Sequence, residues 1–292
     1  MSANPFALAL HGGAGARRSR DYSTEIAHMR RVVEAARDLL AKGTAALDVA
    51  VATIRMLEDS GLYVAGRGAS PNLAGVYELD ASLMDGATGR AGAVAALAGY
   101  ANPILVARAV MEKTPHVMLA GEGAADFARD QGFSSITDPE TFFTHAGKGE
   151  ANHPPGSLAH GTVGCVVLDA HGALAAATST AGVFNKMPGR VGDTPIIAAG
   201  TFAGSCAAVS CTGQGEYFIR AAAAAQVDFR MRFGGESLAQ ATSAVIDEIA
   251  AAGGDGGLIA LDKNGEISTP FASEGMKRAF LRPDGTIEAA AF

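Results

Sequence analysis

Strand-like runs and amphipathic helix patterns alternate through both halves of this 292-residue chain. Strand patterns cover residues 6–10, 78–84, 92–97, 116–119, 162–169, 173–178, 206–211, 257–261 and 266–268. Helix patterns, with apolar residues every three to four positions, cover 22–42, 44–57, 102–113 and the stretch ending at 130, and begin again near 215 and 236. Neither half can close its own core, so the pattern predicts one layered domain over residues 1–292, with helices outside two packed sheets.

The junction between the two halves is the sequence Gly161-Thr162-Val163-Gly164. It ends a polar segment, residues 134–161, which we expect to be an exposed insertion where a chain break is tolerated. If the bond before Thr162 were cut, that residue would carry a free α-amine beside its hydroxyl. An α-amine has a pKa of about 7.7–8, so one residue would hold both a nucleophile and a base.

Composition excludes several classes of protein. The net charge of −7 and the lack of a Lys/Arg cluster argue against a nucleic-acid partner. No apolar run approaches the roughly 18–20 residues of a membrane span, and the polar N-terminus does not look like a signal peptide, so we expect a cytoplasmic protein. Three cysteines in apolar stretches, without metal-ligand spacing, predict buried free thiols, and the seven histidines show no zinc-protease spacing.

Distinctive sequence blocks follow one another along nearly the whole chain. They are HGGAG (11–15), LEDSGLYVAGRG (57–68), ELDASLMDG (78–86), NPILVARAVMEKTPHVMLAGEGA (102–124), GTVG (161–164), TSTAG (178–182), NKMPGRVGDTP (185–195), CTGQGE (211–216) and GGLIALD (256–262). Together they resemble the isoaspartyl peptidase/plant-type L-asparaginase family of N-terminal-nucleophile hydrolases. The resemblance implies an α+β fold, a four-layer αββα sandwich, and self-cleavage between Gly161 and Thr162 into residues 1–161 and 162–292.

The resemblance also implies the catalytic residues. Thr162 would be the new N-terminal nucleophile, and Thr180 would be the second active-site threonine, whose hydroxyl assists it. The Thr212 hydroxyl and the Gly213 N–H match the positions that hold the oxyanion of a tetrahedral intermediate, a role that needs donors aimed at the developing charge. Gly215 would let the main chain run close to the substrate.

Arg190 and Asp193 lie three positions apart among glycines. A guanidinium can hold a carboxylate in a bidentate fork, and a carboxylate can pair with an ammonium group. The resemblance assigns these two roles, toward the α-carboxylate and the α-ammonium of the substrate, to Arg190 and Asp193 respectively. The alternative is an ion pair between the two side chains.

Residues 57–68 resemble the loop in which main-chain carbonyls of the family hold a sodium ion. The implied ligands are the carbonyls of Leu57, Glu58, Ser60, Tyr63, Ala65 and Arg67. A plain helix end followed by a loop would have the same sequence pattern. The chain departs from the family at Val64, where an asparagine is usual. We therefore expect slower self-cleavage or altered specificity.

The resemblance implies hydrolysis of β-aspartyl dipeptides and, less efficiently, of L-asparagine. Such an enzyme needs no organic cofactor, its partner is a small-molecule substrate, and a homodimer of processed αβ units is expected. Two alternatives stay open at this point. One is a glycosylasparaginase-like hydrolase, and the other is a catalytically dead relative that acts as a binding protein.

Overall fold

Helices and strands alternate along the chain in a computed structural model that describes residues 6–146 and 161–292. The strands are β1 (Ala7–Ala14), β2 (Glu78–Asp85), β3 (Ala91–Ala98), β4 (Met118–Ala120), β5 (Val163–Leu168), β6 (Leu174–Thr180), β7 (Thr201–Ala203), β8 (Ala207–Gly213), β9 (Gly256–Asp262), β10 (Ile267–Ser268), β11 (Met276–Leu281) and β12 (Ile287–Ala290). The helices are α1 (Ser23–Ala41), α2 (Ala46–Asp59), α3 (Pro103–Lys113), α4 (Gly121–Asp130), α5 (Pro139–Phe142), α6 (Gly215–Ala221), α7 (Ala223–Gly234) and α8 (Leu238–Ala251).

The strands form two sheets. The larger has the order β12-β11-β1-β5-β6-β2-β3-β4, and the smaller has the order β10-β9-β8-β7. All neighbours run antiparallel except β3 and β4, which are parallel. Because β5 lies between β1 and β6, the strand that begins directly after Thr162 lies in the middle of the larger sheet.

The three largest apolar cores among the described residues hold most of these elements together. The first packs α1, α2 and α3 against one face of the larger sheet. The second packs α7 and α8 against one face of the smaller sheet. The third lies between the sheets and joins residues of β1, β5 and β6 to residues of β8 and β9, including Val166 and Ile259. Strands of both sheets are therefore buried on two faces, which explains their nearly continuous apolar runs.

The predicted α+β class with two sheets is confirmed, and the long helices begin and end within a few residues of their predicted limits. Three strands were not predicted: β7, β11 and β12. In β11 the charged pair Lys277-Arg278 interrupts the apolar pattern, yet Lys277 is buried, with its ammonium group 5.1 Å from the centre of the Tyr22 ring. Tertiary packing has overridden the local pattern there.

Most of residues 134–146 are exposed, as expected of this polar segment, but two contacts fix it to the rest of the domain. Phe143 is buried and stacks on Tyr77 with ring centroids 4.1 Å apart. The Thr144 hydroxyl donates to the carbonyl of Gly61 at 2.7 Å. Phe143 and Thr144 therefore contact the chain between α2 and β2, while residues 147–160 lie outside the described part of the chain.

Two expectations from composition concern membranes and thiols. In the part of the chain that the structure describes, no helix is long and apolar enough to cross a membrane. All three cysteines are free thiols, and Cys165 and Cys211 are buried as predicted. Cys206 is only partly buried, because it lies in the turn between β7 and β8.

Candidate active site

Thr162 lies at the entrance to β5, and the end of β6 holds Thr180 beside it. Both side chains are buried, and the Thr162 hydroxyl donates to the Thr180 hydroxyl oxygen at 3.1 Å. The antiparallel register explains the contact, because Val163 and Ser179 are paired across the two strands. Gly182 N–H also donates to the Thr180 hydroxyl oxygen, at 3.0 Å. The structure thus brings together the two threonines that the resemblance singled out.

Val64 packs against the residue that precedes Thr162. A Cβ atom on Gly161 would lie 2.3 Å from Cγ2 of Val64, so only glycine fits there. The Val64 carbonyl accepts the Ala181 N–H at 2.9 Å and is 3.5 Å from the Thr180 hydroxyl. An apolar side chain therefore closes on the Gly161–Thr162 junction, while the main chain of Val64 supplies the polar contact.

His11 holds the main chain of Thr162 from the other side. Its Nδ1 is 3.2 Å from the Thr162 carbonyl oxygen, and its Nε2 is 3.0 Å from the hydroxyl of Ser210 on β8. Burial lowers the pKa of His11 to about 3, so the ring is neutral at physiological pH. The ring and Ser210 lie directly over Gly164, where a Cβ atom would be 2.0 Å from the Ser210 hydroxyl oxygen. This contact explains the second glycine of the GTVG junction.

Thr212 and Gly213 end β8 as the candidate oxyanion-binding pair. The Thr212 hydroxyl oxygen accepts the Ala14 N–H at 3.2 Å. This bond leaves the hydroxyl proton to be donated, which is the role expected of it. Gly213 has a φ of +152°, and a Cβ atom there would lie 2.4 Å from the Asp255 carbonyl oxygen, so the turn requires glycine.

The candidate head-group site is formed by the loop before β7 and the start of α6. Arg190 does not pair with Asp193, as the alternative interpretation had it, but with Glu216, through Nε at 3.0 Å and Nη2 at 2.9 Å. Nη1 takes part in neither bond. This atom lies 2.8 Å from the position that a Cβ on Gly192 would occupy. Glu216 therefore binds the Nε–Nη2 edge of the guanidinium and thereby orients Nη1.

Asp193 is buried, and its Oδ2 has no hydrogen-bond partner among the described residues. Burial raises the pKa of Asp193 to about 7, and the Arg190 charge opposes that rise. A Cβ atom on Gly215 would lie 2.7 Å from Asp193 Oδ1, so this glycine is what lets α6 begin so close to the carboxylate. A buried carboxylate with an unpaired oxygen is suited to receive a cationic group.

Gly182 connects the threonine pair to the head-group site. The Gly182 N–H donates to the Thr180 hydroxyl oxygen. A Cβ atom placed on Gly182 would lie 3.3 Å from Nζ of Lys186 and 3.5 Å from Nη1 of Arg190. Lys186 is buried and donates to the Glu78 carbonyl oxygen at 3.0 Å. Two cationic groups therefore lie beside Gly182, two residues after the second threonine.

The last turn of α2 and the loop after it contain the candidate cation ligands Leu57, Glu58, Ser60, Tyr63, Ala65 and Arg67. The Leu57 carbonyl accepts the Ser60 hydroxyl at 2.7 Å, and the Arg67 carbonyl accepts the Thr144 N–H at 2.9 Å. A carbonyl oxygen has two lone pairs, so the Leu57 carbonyl can still bind a hard cation, while the Arg67 carbonyl also has the Thr144 hydroxyl at 3.4 Å. Their chemistry fits sodium. In the described ranges no cluster of His, Cys, Asp and Glu could hold a metal ion.

The side chain of Glu58, unlike its main-chain carbonyl, is not one of the candidate cation ligands. Its carboxyl group accepts the Ser179 hydroxyl at 2.6 Å and the Ile104 N–H at 3.2 Å. Burial raises the pKa of Glu58 to about 8. This side chain therefore joins the end of α2 to β6, next to Thr180, and to the start of α3.

Sequence reasoning missed His11, Ser210 and Glu216 as parts of this site. His11 stands in the HGGAG block and Glu216 in the CTGQGE block, so both were quoted, but neither received a role. Their partners lie 151 positions (His11 to Thr162) and 26 positions (Arg190 to Glu216) away, separations at which no local pattern reveals contact.

Comparison with known proteins agrees with these blocks. The family described as asparaginase (Asparaginase_2) matches residues 4–290. The isoaspartyl peptidase of Salmonella typhimurium is 44% identical, covering 95% of this chain and 95% of that protein. The plant-type L-asparaginase of Pyrococcus abyssi is 40% identical (94% and 96%), and the isoaspartyl peptidase/L-asparaginase of Bos taurus is 36% identical (98% and 96%).

These matches define the class of the protein as an amidohydrolase. Within that class, the chain belongs to the asparaginase family (Asparaginase_2).

Proposed function

We propose that this chain is a self-processing hydrolase of β-aspartyl dipeptides, with L-asparagine as a poorer substrate, and that Thr162 is its N-terminal nucleophile. The observation that carries the proposal is the buried Thr162–Thr180 pair, which Gly182 joins to Arg190 and Lys186. The names of the relatives, isoaspartyl peptidase and plant-type L-asparaginase, support the substrate class.

Self-processing uses the Thr162 hydroxyl before the amine is free. The oxygen attacks the Gly161 carbonyl carbon, the peptide C–N bond breaks, and the hydroxyl proton passes to the departing amine. Water then hydrolyses the resulting ester and leaves residues 1–161 and 162–292 as two chains of one domain. The contact of Val64 with Gly161 restricts the main chain on the acyl side of this bond.

Hydrolysis of the substrate repeats the same attack on a β-carbonyl carbon. The Thr162 α-amine accepts the hydroxyl proton and returns it to the leaving amine, while Thr180 holds the hydroxyl in place. The oxyanion is bound by the Thr212 hydroxyl and the Gly213 N–H. Water then releases aspartate from the acyl-enzyme.

Arg190 and Asp193 select a substrate with a free α-carboxylate and a free α-ammonium group. Nη1 of Arg190 faces the glycines of the site, and Asp193 offers an unpaired, buried oxygen. An α-linked aspartyl peptide has no free α-carboxylate and does not fit this pair. Gly215 permits the close approach of the main chain.

Three further features belong to the proposal. The order of the cores (helices, larger sheet, smaller sheet, helices) supports a four-layer αββα sandwich. The carbonyls of residues 57–67 are proposed to hold a sodium ion that stabilises the loop containing Val64. The processed units are proposed to form a homodimer.

Purified protein provides the test. Mass spectrometry is expected to show the two fragments 1–161 and 162–292, and the enzyme is expected to hydrolyse β-Asp-Leu but not α-Asp-Leu. L-Asparagine should be a slower substrate, and N-acetylglucosaminyl-asparagine, the substrate of a glycosylasparaginase, should not react. A single intact chain without dipeptide activity would contradict the proposal and favour a binding protein.

The pKa of Asp193 leads to a prediction on ligand binding. An ammonium group needs the ionised carboxylate, and this group becomes neutral as the pH falls through about 7. We therefore expect competitive inhibition by L-aspartate to weaken about 10-fold between pH 8 and pH 6, since each pH unit below the pKa costs about tenfold.

Succinate is the matched control, because it has both carboxylates of aspartate but no amine. Its inhibition constant is expected to change less than about 3-fold over the same range, since it makes no bond that needs the Asp193 charge. The Thr162 amine also titrates in this range, but it affects both ligands. Parallel pH profiles for the two inhibitors would argue against Asp193 as the ammonium-binding residue.

A further inference from the structure

Four hydroxyl groups lie together between the two sheets, in a layer whose other residues are mainly apolar. Ser82 and Thr178 are cross-strand neighbours in the larger sheet, and Thr201 and Ser210 are cross-strand neighbours in the smaller one. All four residues are fully buried. The two pairs face each other, with the Thr178 hydroxyl 2.7 Å from that of Ser210 and 2.5 Å from that of Thr201.

Hydrogen bonds connect this cluster to the main chain at two places in the candidate active site. At one end, Ser210 contacts His11 at 3.0 Å, and His11 contacts the Thr162 carbonyl oxygen at 3.2 Å. At the other end, the Ser82 hydroxyl is 2.7 Å from that of Thr201 and donates to the Thr194 carbonyl oxygen at 2.5 Å. Thr194 is the residue after Asp193.

We propose that His11, Ser210, Thr178, Thr201 and Ser82 form a buried hydrogen-bonded chain that positions the main chain of Thr162 relative to the Asp193–Thr194 segment. The five are positioning residues, because they act through the groups at the two ends. The inference rests on the proposed function, in which Thr162 attacks a substrate whose ammonium group is held by Asp193.

A proton count shows why the members act as a unit. The chain has six short contacts, from the Thr162 carbonyl to the Thr194 carbonyl. Both terminal groups can only accept hydrogen bonds. With His11 neutral, the four hydroxyls and one ring N–H supply five protons for these six contacts. One contact therefore always lacks a proton, and a change at any member redistributes the bonds of the others.

The polar cluster would otherwise have a simple explanation, in which each hydroxyl only satisfies its neighbour. Longer contacts of the Thr178 hydroxyl with the Gly200 carbonyl (3.4 Å) and of the Thr201 hydroxyl with the Thr194 carbonyl (3.5 Å) serve that purpose as well. Under that explanation, replacement of one hydroxyl by a methyl group affects stability but not the chemical step. The two explanations therefore predict different kinetics.

The kinetic test uses Thr201→Val, which keeps the side-chain shape and removes the hydroxyl. Because misplaced reacting groups slow the chemical step, kcat for β-Asp-Leu is expected to fall about 10-fold to 100-fold, with a smaller change in KM. Thr201→Ser restores the hydroxyl and is expected to restore most of kcat. The matched control is Thr242→Val on α8, a buried threonine whose hydroxyl donates to the Leu238 carbonyl, and it should leave kcat within about 3-fold of wild type.

A second measurement tests the continuity of the chain without any activity. In the Thr162→Ala background, Ser82→Ala and Ser210→Ala are made singly and together, and melting temperatures are compared. The two serines form no hydrogen bond with each other but are linked through Thr178 and Thr201. Because one chain joins them, the double substitution should lower the melting temperature by clearly less than the sum of the single effects.

The outcomes separate the two proposals. If wild type hydrolyses β-Asp-Leu and Thr162→Ala does not, but Thr201→Val has the same kcat as Thr242→Val, the positioning role is refuted and the proposed function stands. If wild type is inactive, the proposed function fails and the catalytic part of this inference fails with it. Additive shifts in melting temperature would show that the hydroxyls do not form one coupled chain.

Discussion

Replacing Thr162 by alanine is expected to leave one uncut chain of 292 residues and to lower β-aspartyl dipeptide hydrolysis by about 10⁴-fold or more. The physical reason is that a single oxygen serves both reactions. Without it, neither the Gly161 carbonyl nor the β-carbonyl of a substrate can be attacked. Mass spectrometry after prolonged incubation at neutral pH measures the first effect, and release of aspartate from β-Asp-Leu measures the second.

The matched control is Thr162→Ser, which keeps the hydroxyl and removes only the methyl group. It should still produce the fragments 1–161 and 162–292 and retain measurable hydrolysis. The alanine variant should fold normally, because His11 bonds to the Thr162 main chain, which the substitution leaves in place. Cleavage of the alanine variant at the same bond would mean that another residue supplies the nucleophile.

The helices and much of the larger sheet could be predicted from the sequence, because their apolar periodicity is local. The residues 162–169 and 173–178 were predicted as successive strands, and β5 and β6 are adjacent antiparallel strands. The contact of Thr162 with Thr180 follows from that register. By contrast, β7 has only three residues and β11 carries a buried lysine, so neither has a pattern that predicts a strand.

The site was predictable as a set of motifs but not as a set of contacts. The block PGRVGD singled out Arg190 and Asp193, yet the partner of Arg190 is Glu216, which the turn after β8 brings next to it. From the sequence, Val64 was predicted only to lack the polar side chain of the usual asparagine. The structure shows what occupies that place, a side chain in contact with Gly161. Such contacts depend on how the two sheets meet, which no local pattern reveals.

The Glu216 pair bears directly on how Arg190 can be tested. Removing Arg190 also removes the charge that favours ionisation of Asp193. The substitution therefore weakens the sites for both the carboxylate and the ammonium group of the substrate. Glu216→Gln, in contrast, keeps the guanidinium and removes only the charge that holds its Nε–Nη2 edge.

Arg190→Ala is therefore expected to lower kcat/KM for β-Asp-Leu by roughly 100-fold to 1,000-fold, equivalent to about 3–4 kcal/mol, the usual cost of removing one partner of a hydrogen-bonded charge pair. Arg190→Lys keeps the charge without the fork and should fall between alanine and wild type. Glu216→Gln should retain most of the activity.

The self-processing of the same preparations provides the internal control, because cleavage before Thr162 involves no substrate carboxylate and should run to completion in all three variants. An alanine variant that processes normally and keeps the kcat/KM of wild type would show that the α-carboxylate is held elsewhere, and one that fails to process would show that Arg190 is needed for the fold of the site.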